Sequence, residues 1–312
     1  MSNSRESRRT SGTGYWDWPL NPGKIPGNIW SMDFERRYSP LPRSADIDEF
    51  RQEVRKFYAA EGRSFPWRRN TSPYSVFVSE VMLQQTQVCR VEPKYLRWMR
   101  EVPDFPSLAG LSTEGLLGLW QGLGYNRRAL ALRESALKVI KEHDGILPDD
   151  PERLRGFPGI GPATAASICA FAFNCPVVFI ETNIRRVFIH FFFPEREAPV
   201  SDRDILPLVE ASLHRESPRD WYNALMDLGT LLKSRIPNPN RRSRHYTRQA
   251  RFEGSNREAR GAILKALQKA PLQSAGELSE NTGIDYRRIM RAAEELEKEG
   301  FLSAENGMFR LG

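Results

Sequence analysis

Between Asp46 and about Phe252 the apolar residues fall at helical spacing, and the runs are cut by Pro66, Pro73, Pro103, Pro106, Gly145 to Pro148, Pro158-Gly159 and Pro176. No sustained apolar/polar alternation appears, so the pattern predicts roughly ten short helices and no strand over this stretch. Residues 256–312 read as a separate unit. Arg257 to Lys269, Ser274 to Asn281 and Asp285 to Glu299 each space Ala, Leu and Ile as a helix does, with Gly283 and Gly300 as stops. The chain then closes on two short apolar runs around Asn306-Gly307, a strong hairpin signal.

The flanks of the helical block differ from it in composition. Residues 1–45 are rich in Ser, Arg, Gly and Pro yet hold Trp16, Trp18, Trp30, Phe34 and Tyr38. That aromatic content suits an irregular arm packed on the main domain, which would span 46–240. Residues 241–255 are polar and basic and read as a linker or an ordered loop along a phosphate backbone. Three helices followed by a hairpin is the order of a winged helix. The expected fold class is therefore mainly all-α, with a small C-terminal α+β winged-helix domain. Its third helix carries Arg287, Arg288 and Arg291 and could enter a DNA groove, whereas its acidic second half, Glu294 to Glu299, suits packing or protein contact equally well.

The chain of 312 residues is long enough for two folded units, and its 40% apolar content is ordinary for a globular protein. It has no apolar run of some 20 residues, so no membrane span is expected. The first ten residues carry charge without an apolar segment behind them, which is unlike a secretory signal, and a cytoplasmic location is expected. Three cysteines, Cys89, Cys169 and Cys175, are too few and too irregular for a disulfide framework or a four-thiolate metal site. The net charge of +7 arises from 46 Lys and Arg against 39 acids, densest from Arg235 to Arg251. Such a surplus favours a polyanionic partner, most often nucleic acid, though a solvated basic face gives the same balance.

Three segments carry candidate chemistry. In Ser79 to Val88 a single carboxylate, Glu80, sits among apolar and amide residues. On a buried turn, desolvation would raise its pKa and make it a usable general acid or base; the alternative is a cap or a paired surface acid. In Leu154 to Ala166, Pro158-Gly159-Ile160-Gly161 joins two helices by a turn whose following N–H groups can hold a phosphate without reading sequence. In Val177 to Val187 an apolar run delivers Glu181 and Asn183 to the start of a helix bearing Arg185 and Arg186. Glu181 there is either functional or a helix-terminal acid stabilised by the dipole.

Taken in order, Phe65 to Arg68, Ser79 to Val88, Leu119 to Tyr125, the glycine hairpin, Glu181 to Asn183 and Ala224 to Gly229 resemble the helix-hairpin-helix DNA glycosylase superfamily, most closely its MutY-type adenine glycosylases, over about residues 46 to 235. The resemblance implies base-excision repair: cleavage of an N-glycosidic bond after the target nucleotide is flipped out of the duplex. By residue matching, Glu80 is the general acid, Glu181 the anion facing the developing oxocarbenium ion, and Asn183 an orienting residue. Trp67, Arg68, Leu83, Val88 and Asn223 would line the adenine pocket. Gln84, Gln85 and Tyr125 would contact or wedge the duplex, while Gly159, Gly161, Arg185, Arg186, Arg241, Arg242 and Arg244 would lie near phosphate. The implied partner is double-stranded DNA with a mismatch or an oxidised base, bound by a monomer.

Four departures qualify the match. Position 181 is usually Asp; Glu is one methylene longer. Ala163 falls where bifunctional relatives carry a Schiff-base Lys, so β-lyase chemistry is not expected, and where MutY-type enzymes commonly have Ser or Tyr. The superfamily's iron–sulfur cluster needs four cysteines after the catalytic domain, but none follows Cys175, so no cofactor is expected. The tail is far shorter than the Nudix-like domain that selects 8-oxoguanine opposite adenine. Mismatched thymine or uracil as substrate, and non-catalytic DNA binding, are the competing readings.

Overall fold

The protein is described here by a computed structural model covering residues 37–194, 196–247 and 251–312. The aromatic arm expected at the N-terminus lies mostly outside these residues. Its last aromatic, Tyr38, is buried: the ring stacks on Phe192 at 5.3 Å and meets Phe50 edge-on, and its N–H donates to the Phe191 carbonyl at 2.7 Å.

The helices follow in chain order as α1 (Ser44–Glu61), α2 (Pro66–Arg69), α3 (Pro73–Leu83), α4 (Val88–Glu101), α5 (Phe105–Ala109), α6 (Thr113–Trp120), α7 (Arg127–Glu142), α8 (Pro151–Leu154), α9 (Pro162–Phe173), α10 (Thr182–Phe192), α11 (Asp202–Ser212) and α12 (Pro218–Arg235). Their number exceeds the roughly ten expected because α2, α5 and α8 are single turns of four or five residues, too short to carry a period. Pro73, Pro106, Pro151, Pro162 and Pro218 stand in the first turns of their helices, where the missing N–H costs nothing.

The apolar residues divide into two clusters. One gathers Phe77, Val81, Met82, Trp98, Leu116, Trp120, Leu132 and Ile168 from α3, α4, α6, α7 and α9. The other gathers Phe50, Phe57, Ala170, Val187, Phe188, Trp221 and Leu225 from α1, α9, α10 and α12. Helix α9 belongs to both and forms the seam. Helices α3 and α9 are apolar on every face over their buried stretches, 74–82 and 165–172, which makes the one carboxylate of α3 conspicuous.

The C-terminal unit comprises α13 (Asn256–Lys269), β1 (Gln273–Ser274), α14 (Ala275–Thr282), α15 (Tyr286–Lys298), β2 (Leu302–Glu305) and β3 (Met308–Leu311), a winged helix with sheet order β1-β3-β2, all antiparallel. Asn306 and Gly307, both at positive φ, turn the hairpin. The two-residue β1, which pairs Gln273 with Phe309, was not expected from the pattern because two residues cannot show alternation. This unit is seated on the helical body: α13 packs on α6, Arg127 pairs with Glu299 at 3.2 Å, and Arg257 donates to the Tyr125 hydroxyl at 3.0 Å.

The start of the basic stretch is tied down. A 3₁₀ turn, Pro239–Arg242, packs on α10, the Asn240 amide donates to the Thr182 carbonyl at 2.8 Å, and Val200 exchanges backbone bonds with Arg242 and Arg244 at 2.8 and 2.9 Å. Residues 241–244 therefore belong to the helical body rather than to a linker.

Candidate active site

A cavity of about 320 Å³ opens on the seam between the two clusters, within the usual range for small-molecule sites. Glu80 reaches it from α3, Ala163, Thr164 and Ser167 from α9, Glu181 and Asn183 from the start of α10, and Asn223, Met226 and Thr230 from α12. Trp67 and Arg68 close one wall from α2, with Leu83, Gln84, Gln85 and Val88 at the end of α3 and the start of α4. The residues expected to carry chemistry and those expected to line a base pocket thus converge on one cavity.

Glu80 is part-buried on the cavity wall. Burial is the largest influence on its carboxyl and pushes the pKa up to about 7, reinforced by the neighbouring Glu181 charge and opposed by a hydrogen bond from Ser167 and by the Arg68 charge. Ser167 Oγ lies 2.5 Å from Glu80 Oε2. A carboxyl titrating near neutrality holds a proton it can give to a leaving group.

Glu181 is the N-cap of α10: its Oε1 accepts from the N–H groups of Asn183 at 2.6 Å and Ile184 at 2.8 Å, while Asn183 Nδ2 lies 3.4 Å from Oε2. The carboxylate thus serves as the helix-terminal acid of α10 while also lining the cavity. Burial raises its pKa, and the two capping N–H groups, then Arg186 and Arg185, act against that rise. Arg186, expected near phosphate, is instead buried and donates to Asn183 Oδ1 at 2.6 Å, the Gly229 carbonyl at 2.7 Å and Asn238 Oδ1 at 3.0 Å. Arg185, likewise assigned to phosphate, forms a two-pronged ion pair with Asp202 at 2.7 and 2.8 Å. Burial and its three bonds correct the expectation for Arg186, which ties the start of α10 to α12, while part-buried Arg185 links the same helix to α11.

Arg68 lines the cavity under restraint. Asp227, fully buried on α12, accepts from both ends of the Arg68 guanidinium at 2.8 Å and from Arg63 Nε at 2.7 Å. Asp227 was legible only as part of the Ala224–Gly229 match; its pairing partners lie some 160 residues away. Ser167 was not singled out at all, because a serine within an alanine-rich helix has no signature.

The loops expected to enter the duplex are built around one residue that sequence reasoning missed. Gln85 and Tyr125 are both held at positive φ, +53° and +48°, rare for side chains of their size. Arg128, buried at the start of α7, donates to the carbonyls of Val81, Met82 and Gln84 at the end of α3, and through its other nitrogen to Leu123 O, Gly124 O and Thr86 Oγ1. One guanidinium thereby caps α3 and joins both loops. Burial lowers its pKa to about 10, so it stays charged at neutral pH. The guanidiniums of Arg128 and Arg257 both lie over the Tyr125 ring, at 5.5 and 5.6 Å from its centroid.

The hairpin residues lie on the same side as Gln84, whose amide donates to the Gly159 carbonyl at 3.2 Å and to Thr164 Oγ1 at 3.3 Å. Gly159 is at φ +73° and is constrained by Ala131 3.2 Å from where a Cβ would stand. Gly161 has an ordinary extended φ and caps α9 without a side chain, leaving the helix N-terminus open. Arg241 and Arg244 are exposed, whereas Arg242 is half-buried beside the Arg196 carbonyl.

Comparison with known proteins agrees with this layout. Residues 78–209 match the HhH-GPD superfamily base excision DNA repair protein family, and residues 257–303 match winged helix-turn-helix DNA-binding domains. The chain is 35% identical over 232 residues to a Mycolicibacterium smegmatis protein named adenine DNA glycosylase, covering 69% of this chain and 79% of that one. A Mycobacterium tuberculosis protein of the same name is 34% identical, with 69% and 77% covered. Among solved structures, a thermostable thymine-DNA glycosylase superposes with a TM-score of 0.54 at 21% identity, over 62% of this chain and 91% of that one, a likeness of fold.

Proposed function

Since the chain belongs to the HhH-GPD superfamily of base excision DNA repair proteins, on its adenine DNA glycosylase branch, we propose that it excises adenine mispaired with 8-oxoguanine or guanine. Its partner is DNA, and we take it to act as a monomer in the cytoplasm on duplexes holding such a mispair. No helix among the described residues is long and apolar enough to cross a membrane.

The observation that carries this reading is Glu80, an acid poised near neutrality in a cavity lined by Trp67, Arg68, Leu83 and Val88. The target nucleotide is extruded into the cavity, with Tyr125 and Gln85 occupying the disturbed stack. Glu80 gives its proton to a ring nitrogen of the adenine, which weakens the glycosidic bond. Positive charge then develops on the sugar, and the second carboxylate, Glu181, stabilises it from the start of α10 while water completes hydrolysis. Ala163 offers no amine to this cavity, so the product is an intact abasic strand.

The reaction as proposed needs no iron–sulfur cluster. No cysteine follows Cys175, and the segment after α12 is filled by the Pro239–Arg242 turn packed on α10. The two neighbouring thiols, Cys169 and Cys175, both point at the Asp149 carbonyl, and burial raises the pKa of each. This donor set does not fit a four-thiolate cluster.

The test is single-turnover excision by the wild-type protein on duplexes placing adenine opposite 8-oxoguanine, guanine, cytosine or thymine, and thymine or uracil opposite guanine, followed by alkaline strand cleavage. Release of adenine opposite 8-oxoguanine or guanine supports the reading. Release of thymine or uracil alone, or tight binding with no release, overturns it.

A further inference from the structure

Ser167 faces two acceptors with one proton. Its hydroxyl oxygen lies 2.5 Å from Glu80 Oε2 and 3.0 Å from the Thr164 carbonyl of its own helix, and the residue is 4% exposed. A serine hydroxyl can donate to only one of them at a time. The Thr164 bond is the ordinary backbone bond of a helical serine, so the hydroxyl has a resting partner when Glu80 does not call on it.

We propose that Ser167 is a positioning residue for the general acid: its hydroxyl engages Glu80 Oε2, leaves Oε1 as the proton-bearing oxygen, and strengthens its bond as Glu80 becomes anionic during proton transfer. The proposal rests on Glu80 being the acid of a glycosylase. The proton on Oε1 passes to the base nitrogen, the electron pair of the broken O–H bond stays on the carboxylate, and the Ser167 hydroxyl turns from the Thr164 carbonyl fully onto Oε2. A hydrogen bond to a charged acceptor is stronger than one to a neutral acceptor, so this contact is worth more at the transition state than before it.

The charged groups around Glu80 are largely engaged elsewhere. Arg68 from α2 is the positive group that favours the Glu80 anion, but its guanidinium is engaged by Asp227 of α12, which also holds Arg63. Arg219, also on the cavity wall, is spent on the Phe171 and Ala172 carbonyls. Arg128 of α7 is spent on the end of α3, and Glu181 at the start of α10 opposes ionisation of Glu80. Helix α9 presents Ser167, Thr164 and Ala163 to the cavity and no charge. Among these groups Ser167 is the neutral donor placed directly on the carboxylate.

The test uses Ser167→Ala and Ser167→Thr in the full chain. Single-turnover excision is measured from pH 5.5 to 9, together with DNA affinity and the Glu80 carboxyl titration by carbon NMR of glutamate-labelled protein, assigned against Glu80→Gln. Ser167→Ala is expected to move the Glu80 titration and the alkaline limb of the rate profile upward by about one pH unit, matching a lost hydrogen bond to a charged group. It also slows excision about tenfold at pH 6 without weakening DNA binding, and Ser167→Thr restores both. A uniform loss of rate with an unmoved Glu80 titration overturns the proposal. If the wild-type protein excises no base at all, the glycosylase reading fails, while the NMR titration still reports whether Ser167 governs Glu80.

Discussion

Replacing Gly229 by alanine sets two effects of opposite sign against each other at the site's foundation. Gly229 lies inside α12, where glycine is about 1 kcal/mol worse than alanine, so propensity alone makes the change stabilising. A Cβ at this position would stand 2.5 Å from the Asn183 carbonyl oxygen, 2.6 Å from Asn183 Cβ and 2.8 Å from its carbonyl carbon. These atoms belong to the first turn of α10 and cannot swing aside as a side-chain tip would. Overpacking of this kind costs about 1–3 kcal/mol, and against backbone the upper half of that range applies. The net expectation is a loss of about 1–2 kcal/mol, lowering Tm by roughly 2–8 °C for a domain of this size. The displaced turn holds Asn183 and the N–H groups that fix Glu181, and Arg186 of the same helix donates to the Gly229 carbonyl of α12. Excision should therefore fall about tenfold or more with DNA affinity kept, as expected when a reacting group is misplaced by an ångström. Gly261→Ala in α13 is the control: nothing lies within 4 Å of its added Cβ, so it should gain about 0.5–1 kcal/mol. Thermal unfolding and single-turnover excision of both variants decide the matter. A Gly229→Ala protein as stabilised as Gly261→Ala, or one excising at the wild-type rate, refutes the reasoning.

Arg128→Met should destabilise the protein by about 1–3 kcal/mol for each carbonyl left without a donor at the end of α3 and in the Leu123-Gly124 loop; chemical denaturation checks this, and a total loss under about 1 kcal/mol would contradict the capping role. Glu80→Gln should flatten the pH dependence of stability. The Glu80 carboxyl is raised from 4.5 to about 7 in the folded protein, so its contribution is complete below the unfolded value and is lost as pH rises through about 7. At pH 8 the variant should be up to about 3 kcal/mol more stable than wild type, and equal stability at pH 8 would show that Glu80 is well solvated. Neutralising Arg241 and Arg244 together should lower the log–log salt slope of DNA binding by about 0.9 per contact, whereas half-buried Arg242 should contribute less; an unchanged slope would remove these side chains from the DNA face.

The helical block, the winged helix and the cavity-forming segments were legible because each has a period or a spaced motif. Glu80 stood out as one charge in an apolar helix, and Asn306-Gly307 fixed the wing. What escaped was set by tertiary pairing. Arg185 and Arg186 look alike in sequence, and both resemble phosphate ligands, yet one is committed to Asp202 and the other to Asn183 and the Gly229 carbonyl. Arg128 reads as one more basic residue at a helix start, and only the folded chain brings the end of α3 and the Leu123-Gly124 loop to its guanidinium. Ser167 was hidden for the same reason, since its partner lies 87 residues away in sequence. Single-turn helices and the two-residue strand were invisible because a period needs more residues than they have.

Single-turnover release of adenine from an 8-oxoguanine·adenine duplex, compared between wild type and Glu80→Gln at equal DNA occupancy, tests the role of Glu80 most directly. Loss of the acid should slow release at least about 100-fold while leaving DNA affinity intact. A Glu80→Gln protein that frees adenine as fast as wild type would contradict Glu80 as the general acid.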